Sequence, residues 1–66
     1  MAVVKVIEVL SNSTKSWEDA TAKGIAKASK SITGIKSAFV QSQSVTVKDG
    51  KVAEYRVNLK ISFAIK

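Results

Sequence analysis

Apolar and polar residues alternate with a period of two at the C-terminal end of the chain. Ala53, Tyr55, Val57, Leu59, Ile61, Phe63 and Ile65 fall on one side, and Glu54, Arg56, Asn58, Lys60, Ser62 and Lys66 on the other, broken only by Ala64. This predicts a strand that is apolar along the whole of one face. Lys48-Asp49-Gly50-Lys51 before it predicts a tight hairpin, because Asp-Gly accepts the positive φ angles such turns need. Lys36 to Val47, rich in Val, Ser and Gln, predicts the partner strand. Its parity changes along its length: Ala38 and Val40 share one face, whereas Phe39, Val45 and Val47 share the other. A bulge or bend between Gln41 and Ser44 reconciles the halves.

The N-terminal half reads differently. Val3 to Leu10 is a β-branched, apolar run interrupted by Lys5 and Glu8, which predicts a strand covered on both faces over part of its length. Ser11-Asn12-Ser13-Thr14 reads as a polar break. A helix follows, with Ser16 and Asp19 at capping-box spacing and Glu18 and Asp19 suited to the positive end of its dipole. Trp17, Ala20, Thr21, Gly24, Ile25, Ala28 and Ile32 recur at three- and four-residue steps and form one apolar stripe. Lys23, Lys27 and Lys30 gather on the opposite side, and Thr33-Gly34 is the expected end, with Gly34 as a left-handed cap. The result is an α+β chain of order β-α-β-β. It forms a single domain over residues 1–66, with no repeat, low-complexity tract or linker.

Length makes this arrangement marginal in isolation. A chain of 66 residues removes only about 60% of its unfolded surface from water. It has no Cys and no His, which leaves neither disulfides nor a zinc-type site as a staple. A final strand of about 14 residues spans roughly 45 Å, while a helix of about 16 residues covers roughly 24 Å. One helix cannot shield that apolar face, so the overhang is expected to bend around it, meet another subunit, or both.

Charge changes the picture less. Eleven Lys+Arg against five Asp+Glu give a net +6, but the cations are spread along the chain, only one is Arg, and the aromatics do not interleave with them. No nucleic-acid partner is therefore expected. No run approaches the about 18 apolar residues of a membrane span. Met1 to Glu8 lacks the pattern of a secretory signal, so a cytoplasmic location is expected. Without His or Cys, a nucleophile turn or a phosphate-binding Gly loop, the chain does not read as an enzyme. The carboxylates Glu8, Glu18, Asp19, Asp49 and Glu54 are scattered. No metal site is assigned, and calcium would have to draw oxygens from several subunits.

Together, Val4-Lys5-Val6-Ile7-Glu8, Ser16-Trp17-Glu18 and Glu54-Tyr55-Arg56-Val57-Asn58-Leu59-Lys60-Ile61-Ser62-Phe63 resemble the dodecin family in order, spacing and total length. The resemblance implies a three-stranded antiparallel sheet wrapped around one helix and a hollow homododecamer. It implies binding and storage of a small molecule between subunits, with flavin (riboflavin or FMN) as the cofactor. The ligand-binding positions it points to are Ser37, Gln43, Ser44 and Arg56. Ser37 stands where flavin-binding dodecins carry a ring-stacking Trp, and Arg56 where they carry a Gln that bonds the ring edge. In this the chain resembles the subset lacking that Trp, which includes calcium-binding members. The alternatives are then a dodecin that holds calcium or a small anion, or a shell with no flavin function. Trp17, lying on the apolar stripe, reads as a packing residue rather than a ligand-stacking one.

Overall fold

A computed structural model of the chain describes residues 3–65. Met1, Ala2 and Lys66, the last assigned by the alternation to the strand's end, lie outside the described residues. The elements are β1 (Val3–Ser13), α1 (Trp17–Ser29), β2 (Ile35–Lys48) and β3 (Lys51–Ile65). The strands form one antiparallel sheet in the order β1-β3-β2. The strand with the strongest alternation is thus the central one, paired along both edges. Its helix-side residues Val57, Leu59 and Ile61 are fully buried together with Ala20 of α1. Ile7, Val9, Ile25, Ala28 and Ala38 pack around them.

Local chemistry explains most boundaries. Ser16 caps α1, its Oγ accepting from Asp19 N at 2.9 Å. The Asp19 carboxylate does not close a capping box; it accepts from Ser13 Oγ and pairs with Lys23 Nζ at 3.1 Å. Asp49 and Gly50 both have positive φ, as a two-residue type I′ hairpin requires. The parity change in β2 resolves as expected: Val40 opposes Leu59 and Ser42 opposes Asn58, which leaves Gln41 as the extra residue of a bulge.

Two boundaries differ from the sequence expectation. Ser11, Asn12 and Ser13 are not a break but the end of β1, opposite Val57, Arg56 and Tyr55. Pairing with β3 satisfies their backbones, and Ser11 Oγ adds a 2.7 Å bond to the carbonyl of Ala20. The helix stops at Ser29 with Lys30 as its cap, short of Ile32. Ser31 N and Ile32 N both return to the carbonyl of Ala28, a tightened last turn. Gly34 is left-handed, as expected, but beyond the helix, where its carbonyl accepts from Ala64 N at 3.1 Å and leads the chain into β2.

A helix of 13 residues is about 20 Å long, and the molecule measures 50 × 20 × 14 Å. Much of the sheet therefore extends past the helix, and only three residues of β3 are fully buried. No helix among the described residues is long and apolar enough to cross a membrane.

Candidate ligand-binding face

Directly opposed residues of an antiparallel sheet share a face, so the register divides the sheet into two sides. The helix side carries Val57, Leu59 and Ile61 with their partners Ser11, Val9 and Ile7. The outer side carries Arg56, Asn58, Lys60 and Ser62 with Asn12, Leu10, Glu8 and Val6 from β1. From β2 it takes Ser44, Ser42, Phe39 and Ser37. No element of the described chain packs on this outer side. Leu10 and Phe39 are each 65% exposed on it, far more than a folded monomer ordinarily leaves to a large side chain.

The most ordered polar group on this side is the row Asn12–Arg56–Ser44. Arg56 Nε donates to Asn12 Oδ1 at 3.0 Å, and Asn12 Nδ2 donates to Glu54 Oε1 at 3.3 Å. Asn12 therefore holds the guanidinium at Nε, and its terminal N–H groups have no hydrogen-bond partner among the described residues. A planar, permanently charged fork held in this way suits a carboxylate or phosphate, which it can bond in bidentate fashion. Ser44, opposite Arg56 on β2, adds a hydroxyl. Its own carbonyl accepts from Trp17 Nε1 at 3.0 Å. Trp17 also meets Tyr55 edge-to-face with ring centroids 5.2 Å apart. The indole thus packs against the core and pins the helix start to β2, on the helix side of the sheet.

The positions drawn from the family resemblance do not converge within one subunit. Ser44 and Arg56 are cross-strand neighbours. Ser37 opposes Ser62, six residues further along β3, about 20 Å away. Gln43 opposes Val57 and so lies on the helix side. Ser37 Oγ and Ser62 Oγ are 2.6 Å apart, each occupying the other. A flavin fits this chain poorly in the family's manner. The stacking position is a hydroxyl already bonded, and Arg56 offers donors with no acceptor for the ring edge. The nearest aromatic on that side is Phe39. Among the described residues no cluster of three or more His, Cys, Asp or Glu exists that could hold a metal.

Asn12 is the member of this candidate row that the sequence pattern concealed. It stands 44 residues from Arg56 and inside a tetrad that reads as a loop. The available signal was the polar parity of Ser11, Asn12 and Ser13, which continues the two-residue period of the strand before them.

A family model described as dodecin matches residues 3–66. A calcium dodecin of Mycobacterium tuberculosis is 35% identical over 66 residues, covering 100% of this chain and 93% of that protein. A crystal structure of the calcium dodecin of that organism, described as calcium-chelating, is 37% identical. It superposes with a TM-score of 0.85 over 97% of this chain and 91% of its own. A dodecin from Streptomyces davaonensis has a TM-score of 0.94 over 98% of this chain and 96% of its own, and at 22% identity it speaks for the fold alone.

Proposed function

The chain belongs to the dodecin family, and from that premise we propose that it assembles as a homododecamer that binds and stores a small ligand through an oxyanion held by Arg56. The observation that supports this most directly is the Arg56 guanidinium, held by Asn12 on a sheet face that no element among the described residues covers. Exposed Leu10 and Phe39 on the same side supply apolar surface for neighbouring subunits and for the body of a ligand. The role is binding rather than catalysis: the site offers a cation, hydroxyls and an amide, with no general base paired to a nucleophile.

FMN and riboflavin share a ring and differ by a phosphate, so the pair separates recognition of the ring from recognition of the oxyanion. Native mass spectrometry of the purified protein with each is the test. Arg56→Gln should lower FMN affinity roughly tenfold or more relative to riboflavin, whose binding it should not weaken. FMN bound no better than riboflavin, or an unchanged Arg56→Gln, would remove the oxyanion reading. A monomer or dimer mass would remove the assembly. Calcium is the second reading, favoured by the relative that is a calcium dodecin. Glu8 and Glu54 both lie on the outer side, and such a site would combine them across subunits. Calcium bound with neither flavin taken up would select that reading.

A further inference from the structure

On the helix side, along the free edge of β1, a groove of about 460 Å³ runs between β1 and the second half of α1. We infer that this groove is a binding site for a single-chain amphipathic anion of the fatty-acid type, centred on the helix side and reaching Leu10 and Asn12 at the edge of the Arg56 face. Its origin lies in the apolar stripe: Gly24 and Ala28, one turn apart, present almost no side chain where the helix meets Ile7 and Val9. Ile32 closes the far end. From Gly24 to Ser29 the floor follows the helix for about 7 Å and continues to Ile32, an apolar trough suited to an alkyl chain. Its volume lies within the range of small-ligand pockets.

The rim supplies the charge. Lys23 and Lys27 stand one turn apart above the trough, with Ser31 a turn further on. Lys23 is engaged by Asp19 at 3.1 Å, the one ion pair among the described residues, so Lys27 has no carboxylate partner there. An apolar floor with a cation at its edge matches a carboxylate head on a hydrocarbon tail. It matches poorly a cation, which Lys27 repels. The lining also takes in Leu10 and Asn12, so one end of the groove adjoins the Arg56 face, and substitutions at Lys27 and Ala28 tell the two apart.

The test is titration calorimetry of the assembled protein with decanoate, alongside decylamine as the same tail with the opposite charge. Saturable binding of decanoate that persists in Arg56→Gln, and weaker binding of decylamine, are expected. Lys27→Glu should weaken decanoate about tenfold, a local charge reversal that leaves the packing alone. Ala28→Leu should fill the trough and abolish binding, with the native mass of the assembly unchanged. The inference is overturned by an absence of saturable decanoate binding, by its loss in Arg56→Gln, by equal binding of the amine, or by indifference to both substitutions. A change of native mass in Ala28→Leu would also overturn it, since the groove would then be a contact between copies.

Discussion

Ser13 Oγ donates to Asp19 Oδ2, and Lys23 Nζ approaches the same oxygen. These hold the Asp19 carboxyl below its ordinary pKa of 3.8, the Ser13 hydrogen bond being the larger cause and Lys23 the next. The first turn of α1, where the helix dipole favours an anion, is also its place. A carboxyl whose pKa is lowered by folding binds its proton more readily in the unfolded chain. Its stabilising effect is therefore complete above the unfolded value and is lost as pH falls through the folded one. Asp19→Asn should consequently lower the denaturation midpoint at neutral pH, with the gap to the parent protein narrowing in acid, below about pH 4. Denaturant titrations at several pH values, at one protein concentration, check this. A gap that stays constant into strong acid would mean that the charge of Asp19 is not what stabilises the turn.

Where α1 crosses the sheet, Gly24 decides how closely the two layers approach. A Cβ at this position would lie 3.0 Å from Ser11 Cβ and 3.1 Å from Leu59 Cδ1. Ser11 Cβ is anchored to a paired strand and cannot swing away. Gly24→Ala gains about 1 kcal/mol of helix propensity, but overpacking of this kind costs about 1–3 kcal/mol. The expected net result is a loss of stability and a lower thermal midpoint; a higher one would show that the layers separate freely. The same contact shows why the sequence reveals some elements and hides others. The Asp49-Gly50 hairpin, the Ser16 cap and the alternation of β3 depend on neighbours within a few residues, and all were legible. The reach of β1 through Ser13 depends on β3, more than forty residues away, and Ser11 is tied down by a carbonyl of α1. The helix end at Ser29 follows from the tightened last turn, while Ile32 keeps the spacing of the stripe without being helical. Of the candidate row, the family resemblance pointed to Arg56 and Ser44 but not to Asn12. Ser44 gains meaning from register, and Asn12 from pairing across the sheet.

As a whole, the subunit buries few large residues fully and leaves Val4, Val6, Leu10 and Phe39 exposed on the outer side of one sheet. These residues flank a polar middle of Glu8, Lys60 and Asn58, and Asn58 Oδ1 is buried with no partner among the described residues. An apolar border around an unsatisfied acceptor is what a subunit cut from an assembly leaves behind. The net charge of +6 opposes assembly, because each added copy adds to the repulsion, so the apolar surface has to outweigh it. Phe39 is the sharpest probe, since it is large, exposed and touches neither the buried core nor the Arg56 row. Phe39→Asp should leave the far-ultraviolet circular dichroism of the subunit β-rich while converting the assembly to smaller species in sedimentation velocity. Removing the intersubunit contribution should also make the thermal midpoint of the variant much lower than that of the parent. Raising salt screens the repulsion between like-charged subunits over about 10 Å at 0.1 M. It should therefore shift the parent towards larger species but recover little of the variant, whose loss is apolar. A Phe39→Asp protein that sediments as the parent does would show that the outer side faces solvent, and that the subunits meet through the free edges of β1 and β2 instead.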